Sequence, residues 1–165
     1  MEHRIRAAGI LLNNDAILMV KVKDYTGEYW IPPGGGLEAG DRSTKGALER
    51  EFEEETGLKV EVGQLICVRE FVEAEPERYH AEFFYQIDSY TGEIHINNLQ
   101  GLTDEHFIQA VEWVELKSLK QKRTYPSDLH DILVPNVISK TYSLHLGCYV
   151  QGSDEQTNHL DKPSE

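Results

Sequence analysis

Cysteine is scarce in this 165-residue sequence, which contains only Cys67 and Cys148. Two cysteines so far apart are too few for a disulfide scaffold or for a cysteine-based zinc site. The sequence therefore predicts two free thiols. We expect a reducing compartment and a cytoplasmic location, because secreted chains of this size usually use cysteine for cross-links.

Long apolar runs are also missing. Residues 1–20 are apolar only in short pieces, which Asn13, Asn14 and Asp15 interrupt. A membrane helix needs about 20 consecutive apolar residues, and a signal peptide needs a continuous apolar centre. We therefore predict neither feature, and no membrane partner.

Basic residues are few relative to acidic ones, with 16 Lys and Arg against 29 Asp and Glu, which gives a net charge of −13. Such a chain repels a nucleic-acid backbone, so a nucleic-acid polymer is disfavoured as a partner. The same charge repels a small phosphorylated substrate. Phosphate chemistry on this chain would therefore require divalent cations that invert the local field.

The composition is that of a globular protein, with 39% hydrophobic and 27% charged residues. We predict a single domain over residues 1–150 and a polar, frayed C-terminal tail over 151–165. Apolar and β-branched runs predict strands at 4–12, 16–23, 58–71, 81–87, 93–96, 110–114 and 141–150. The first two of these runs are expected to form a hairpin about Asn13-Asn14-Asp15.

Two segments favour helix. Residues 43–56 form the stronger candidate, with Ser43 or Thr44 as N-cap and Gly57 as the stop. A second helix is predicted from 126 or 127 to about 139, with a kink or break at Pro135. Between the first strands and the first helix, residues 27–41 are rich in Gly and Pro and predict a loop. Few helices among many strands indicate an α+β sandwich with a mixed sheet.

Three carboxylates of the first helix carry the chemical signal. Glu51, Glu54 and Glu55 stand at i, i+3 and i+4, so they share one helix face. Like charges at this spacing are unfavourable unless a ligand binds them, and magnesium prefers such oxygen ligands. The alternative is a solvated acidic face, which is the usual reading of an acidic run on a helix.

The stretch from residue 34 to 58 resembles the Nudix box, G-x5-E-x7-R-E-U-x-E-E-x-G-U, where U is a bulky apolar residue. Residues 50–58 match it at every defined position. The first half departs from the pattern. If Gly35 is the box glycine, Asp41 takes the place of the usual glutamate, with one extra residue before Arg50. If Gly36 is the box glycine, the spacing is regular but Arg42 takes that place.

The resemblance implies a Nudix-type α/β/α sandwich with a mixed central sheet flanked by helices. It also implies Mg²⁺-dependent hydrolysis, with Mn²⁺ as a substitute, of a phosphoanhydride in a small nucleotide: a nucleotide sugar, ADP-ribose or a nucleoside triphosphate. Glu51, Glu54 and Glu55 would hold the metal, and Arg50 would orient a glutamate. Residues 34–36, all glycine, would let the backbone approach the diphosphate.

The resemblance leaves the general base open. Glu54 is the first choice, and Asp104 or Glu105 is a candidate for the base or for an extra metal ligand. A nucleobase could stack on Tyr25, Tyr29 or Tyr79, although tyrosines more often simply pack. A homodimer paired through residues 141–150 is a further option. The rival function is a catalytically silent Nudix domain that senses a nucleotide or binds a partner, but the intact box carboxylates argue against it.

Overall fold

The computed structural model describes residues 1–151 and 155–157. The strands are β1 (Glu2–Ile10), β2 (Leu12–Asn13), β3 (Ala16–Asp24), β4 (Gly27–Ile31), β5 (Gly34–Gly36), β6 (Lys59–Glu73), β7 (Arg78–Thr91), β8 (Ile108–Glu115), β9 (Leu144–Gln151) and β10 (Glu155–Thr157). The α-helices are α1 (Thr44–Thr56), α2 (Leu116–Leu119) and α3 (Val134–Ser139). Short 3₁₀ turns cover Asn97–Leu99 and Thr103–His106, and a π-helical turn, Leu129–Leu133, leads into α3.

The strands form two sheets. The larger is mixed, in the order β10-β9-β6-β7-β1-β5, with β1 parallel to β7 and β9 parallel to β6. In the smaller, antiparallel sheet, β3 pairs with β2 and β4 along one edge and with β8 along the other. Among the described residues, no helix is long and apolar enough to cross a membrane. The predicted α+β sandwich with a mixed sheet is confirmed.

Strand β1 contributes to two of the buried core clusters, because successive side chains of a strand point to opposite faces. Ala7 shares a buried cluster with Phe52 of α1, whereas its neighbour Ala8 shares another with Leu129 and Leu133 of the π-helical turn. Burial of each large apolar side chain contributes roughly 1.5–3 kcal/mol. Helices therefore cover both faces of the sheet layer, and α1 is fixed to one of them.

Helix α1 has the ends that the sequence predicts. The Ser43 side chain accepts a hydrogen bond from the Gly46 backbone N–H at 3.1 Å, which caps the first turn. Gly57 ends the helix in the left-handed conformation with φ 78°, and its N–H donates to the Glu53 carbonyl. Gly57 also lies where a Cβ would meet the His95 ring at 2.5 Å. Glycine is thus required there twice over, by conformation and by space.

One local prediction is right only in its turn, and another is wrong. A hairpin does close about Asn14-Asp15, but its first arm is only β2, because β1 ends at Ile10 and pairs in the larger sheet. Residues 93–96 are not a strand, because the His95 N–H donates to the Thr56 carbonyl at 2.9 Å and holds this segment over the end of α1. Apolar runs alone did not distinguish these arrangements.

The second half of the chain follows the sequence more closely. The predicted second helix is present, but no break separates its parts: the π-helical turn passes directly into α3, which has Pro135 in its first turn, so the helix changes type near this proline. Strands β7 and β8 include the predicted runs and extend beyond them, β6 covers all of 58–71 except residue 58, and β9 covers most of 141–150. Within the predicted tail, Glu155–Thr157 pairs with β9 as β10. Residues 152–154 and 158–165 lie outside the described residues.

Candidate active site

The glycine segment before α1 forms strand β5 by pairing with β1, at a place where two of its residues have no room for a side chain. A Cβ on Gly34 would lie 2.1 Å from the Ala7 carbonyl oxygen, and one on Gly35 would lie 2.3 Å from Glu51 Oε1. The prediction of a loop over 27–41 is therefore wrong in part, since β4 and β5 both lie within it. Because its residues have no side chains, β5 can pair with β1 and at the same time lie against the Glu51 carboxylate. The Gly34 N–H donates to Glu55 Oε2 at 3.0 Å.

Three carboxylates meet beside β5. Glu51 and Glu55 project from α1 and Asp104 from the 3₁₀ turn Thr103–His106, with one oxygen of each lying within 4.8 Å of the others. Glu51 and Glu55 are 4% and 3% exposed. We call these three residues the carboxylate cluster. Two of its members are thus withdrawn from water beside like charges, which is costly without a counter-ion.

The protonation of the carboxylate cluster reflects this cost. Burial raises the pKa of Glu51 to about 7, and the charges of Glu54 and Asp104 act in the same direction. Burial and the adjacent Glu51 raise the pKa of Glu55 above its ordinary range. Glu51 Oε2 is buried and accepts no hydrogen bond from the described residues. A divalent cation with oxygen ligands would supply both the missing charge and the missing partner, so the residues present fit a metal.

Arg50 links the helix to the loop before it. Its Nε and Nη2 donate to both oxygens of Asp41, at 2.8 and 3.0 Å, and Nη2 also donates to the Gly36 carbonyl at 3.0 Å. Its Nη1 donates to Glu51 at 2.9 Å and to Glu54 at 3.2 Å. One guanidinium therefore fixes the loop, β5 and two helix glutamates together.

A cavity of about 230 Å³ opens beside the carboxylate cluster. Asp104 connects the two, because it lines the cavity and is also a member of the cluster. One wall is aromatic: the rings of Phe71 and His80 stack at 4.2 Å, and Tyr29 also lines the space. Another wall is charged, where the buried Glu82 accepts hydrogen bonds from two guanidinium groups. An aromatic and polar cavity next to clustered acids has the form of a substrate site.

The sequence model of the NUDIX domain matches residues 3–133. This chain belongs to the Nudix family. The match covers both sheets up to β8, α1, α2 and the π-helical turn. It therefore includes the whole segment that resembles the Nudix box. The chain is accordingly an enzyme of the Nudix pyrophosphohydrolase family.

Individual relatives are distant. The uncharacterized Nudix hydrolase YvcI of Bacillus subtilis (strain 168) is 26% identical over 133 residues, which cover 79% of this chain and 78% of that protein. An RNA pyrophosphohydrolase of Zymomonas mobilis is 32% identical over 135 residues, covering 72% and 83%. A solved MutT protein from Bacillus halodurans has a TM-score of 0.67 at 19% identity, over 97% of this chain and 99% of that one. The last likeness concerns the fold.

The structure separates the three glutamates that the Nudix box groups together. Glu51 and Glu55 enter the carboxylate cluster, whereas Glu54 lies against Arg50 with 31% of its side chain exposed. At about 100° per residue, Glu51 and Glu55 are about 40° apart on the helix, and Glu54 is about 100° from Glu55. The prediction that all three glutamates bind one metal because they share a helix face was therefore too coarse. Asp104, a sequence candidate of equal rank with Glu105, takes the third place.

The other candidates of the Nudix box and its loops have local partners. Asp41 pairs with Arg50, whose hydrogen bonds hold the pKa of this carboxyl below its usual value. Asp41 is therefore a partner of the box arginine and lies outside the carboxylate cluster. Glu105 Oε2 accepts a hydrogen bond from the Gly101 N–H at 3.1 Å and also lies outside the cluster.

Sequence reasoning missed the charged wall of the cavity. Arg6, Arg69 and Glu82 all lie within strands, where charged residues at buried positions are unusual. Arg69 is 1% exposed and Glu82 6%. An arginine and a glutamate inside otherwise apolar strand runs were the available signal, because buried charges are paired or bind a ligand.

Proposed function

We propose that this Nudix hydrolase cleaves the phosphoanhydride of a small nucleotide in which a nucleoside diphosphate is linked to another group. The observation that carries the proposal is the double position of Asp104, which lines the cavity and belongs to the carboxylate cluster. A molecule bound against the aromatic wall therefore has its phosphates within reach of the clustered acids.

Glu51, Glu55 and Asp104 are the residues that we propose to hold Mg²⁺, with Mn²⁺ as a substitute. Their hard oxygen donors suit either ion, and the partnerless Glu51 Oε2 gives the fit a specific atom. When bound, the cation would neutralise phosphate charge and favour ionisation of the attacking water.

Glu54 is the proposed general base. It is the most exposed of the three box glutamates, and its contact with Arg50 holds it at the edge of the cluster. In the reaction, the water oxygen bonds to phosphorus and the bridging P–O bond breaks. The water proton passes to the Glu54 carboxylate, and the freed phosphate group departs with the bridging oxygen. The β5 glycines leave the backbone open to the diphosphate.

A small substrate is favoured over a polymer. One relative is named an RNA pyrophosphohydrolase, but the net charge of −13 opposes binding of a long polyanion. Nucleotide sugars, ADP-ribose and nucleoside triphosphates remain the substrates to compare. A silent sensor is the second candidate, and the intact carboxylate cluster weighs against it.

The test is phosphate release from a panel of nucleoside triphosphates, nucleotide sugars, ADP-ribose and dinucleoside polyphosphates. Each substrate is assayed with Mg²⁺, with Mn²⁺ and with chelator. We expect metal-dependent cleavage of one class, and a fall of about 100-fold or more in turnover for Glu54→Gln. The matched control is Glu53→Gln, an exposed neighbour on the same helix. Folded protein that binds metal but cleaves nothing would favour the sensor.

A further inference from the structure

Two arginines of β1 line the cavity. Arg4, Arg6 and Ala8 alternate along the strand and all contribute to the cavity wall. In the pairing of β1 with β5, Arg6 lies opposite Gly36 and Ala8 opposite Gly34. Arg6 therefore lies beside the glycine strand β5, and Gly35 of the same strand lies against Glu51 of the carboxylate cluster.

Arg6 has donors to spare. Its Nε donates to Glu82 Oε2 at 3.1 Å, and its side chain is 21% exposed. Within residues 1–151 and 155–157, no hydrogen bond is found for its two Nη groups. Glu82 is shared, because its Oε1 accepts from Arg69 at 3.4 Å. Both oxygens of Glu82 are therefore occupied by arginines, while the two Nη groups of Arg6 face the cavity side with no protein acceptor among the described residues.

Arg4 stands farther out on the same wall. Its side chain is 43% exposed, and the nearest carboxylate oxygen, that of Glu2, is 4.0 Å from its Nε. Its Nη2 lies 3.8 Å from the point that a Cβ on Gly36 would occupy. Residues two apart on a strand are separated by about 7 Å, so two long arginine side chains can reach one anionic group.

We propose that Arg4 and Arg6 form an anion subsite that binds the phosphate of the substrate anhydride that faces the cavity, while the other phosphate lies at the carboxylate cluster. This inference rests on the proposed function for its substrate. Planar guanidinium groups with unused N–H donors bind phosphate oxygens in pairs. The subsite would also offset the repulsion that the acidic chain exerts on a diphosphate.

Binding of methylenediphosphonate, a diphosphate analogue with a carbon bridge, tests the subsite without turnover and without a nucleobase. Isothermal titration with Mg²⁺ present compares wild type with Arg4→Gln, Arg4→Lys and Arg6→Lys. We expect Arg4→Gln to weaken binding about tenfold, the loss of one charge-assisted hydrogen bond, and Arg4→Lys to recover part of it. The matched control, Lys59→Gln, removes an exposed cation outside the cavity and should bind as wild type does.

Kinetics on the substrate found by the panel give the second measure. The subsite predicts a higher KM for Arg4→Gln with kcat nearly unchanged, since a phosphate held throughout the reaction contributes uniform binding. Wild type that does not bind the analogue, or arginine variants whose Kd and KM both stay within twofold, would overturn the subsite. Arginine-dependent binding without any turnover would instead refute the proposed function alone.

Discussion

Arg50 binds both oxygens of Asp41 across nine positions of sequence, at 2.8 and 3.0 Å. The same side chain reaches Gly36 of β5 and the Glu51 carboxylate. The Arg50 guanidinium thus links the loop before α1 to the helix, and it also donates a hydrogen bond to the Glu51 carboxylate. A residue that departs from the usual box sequence has become part of the support of the site.

Asp41→Asn is expected to lower the free energy of unfolding by about 1 kcal/mol, because it replaces a two-point ionic contact with a weaker neutral one. For a chain of this size the melting temperature should fall by roughly 2–4 °C. Thermal unfolding followed by circular dichroism measures the change. Glu38→Gln is the control, since the Glu38 side chain is 69% exposed and its carboxylate is as far as 4.0 Å from the same arginine. Equal losses in both variants would contradict the assignment.

The Asp41 contact also predicts a pH dependence. Hydrogen bonding to Arg50 lowers the pKa of Asp41 in the folded protein. Its stabilisation is therefore complete above the unfolded pKa of about 3.9 and is lost as the pH falls through the folded value. Urea unfolding should show a constant difference between wild type and Asp41→Asn from about pH 5 to 7, narrowing below about pH 4. A difference that persists undiminished at about pH 2 would count against this mechanism.

Gly35→Ala should disable the site and spare the fold. The added Cβ would lie 2.3 Å from Glu51 Oε1, and a carboxylate end can move aside more easily than backbone can. We expect Mn²⁺ affinity to fall about tenfold or more, as happens when the support of a ligand is disturbed. Gly36→Ala is the paired control, because its Cβ would have its nearest neighbours at 3.8 and 3.9 Å. Titration calorimetry and far-UV circular dichroism separate binding from folding.

Asp104→Asn should have opposite effects with and without metal. Without cation, removal of one like charge beside Glu51 and Glu55 should raise the melting temperature. With Mn²⁺ present, affinity should drop, so the metal-induced rise in melting temperature shrinks. Glu105→Gln should change neither value, since its carboxylate lies outside the carboxylate cluster. Parallel thermal scans with chelator and with Mn²⁺ decide the matter.

Cys67 should be unreactive in the folded protein. Burial raises the pKa of its thiol to about 12, so almost no thiolate is present near neutral pH. In Cys148→Ser, iodoacetamide at about pH 8 should label Cys67 slowly, and rapidly once urea unfolds the chain. Mass spectrometry gives both rates. Rapid labelling of the folded variant would show that the thiol is accessible and ionised.

Local signals predicted α1 well. Ser43 and Gly57 carry its ends in their own side-chain and backbone chemistry, so no tertiary contact was needed to find them. The sequence also showed that three box carboxylates lie close together on α1, but not which of them would meet Asp104. The helix angle places Glu54 apart from Glu55, and the approach of β5 and of the turn that carries Asp104 decides which carboxylates form the cluster.

The errors share a physical cause. The glycine segment was predicted to be a loop because glycine weakens isolated strands. It forms β5 by pairing with β1, and the Ala7 backbone and the Glu51 carboxylate beside it leave no room for a side chain. Likewise, the pairing of Arg6 and Arg69 with Glu82 joins β1, β6 and β7, which a single sequence does not align. Such features depend on contacts between distant segments.

The alternation of β1 has a consequence for changing this enzyme. Ala7 packs against α1, whereas Arg4 and Arg6 face the cavity, so neighbouring residues of the strand contribute to different parts of the protein. A library that randomises Arg4 and Arg6 while keeping Ala7 would sample new ligand preferences without disturbing the seat of the catalytic helix. One nine-residue strand therefore carries both the seat of α1 and a wall of the cavity, and the charge of Arg6 also acts on Glu51 and Glu55.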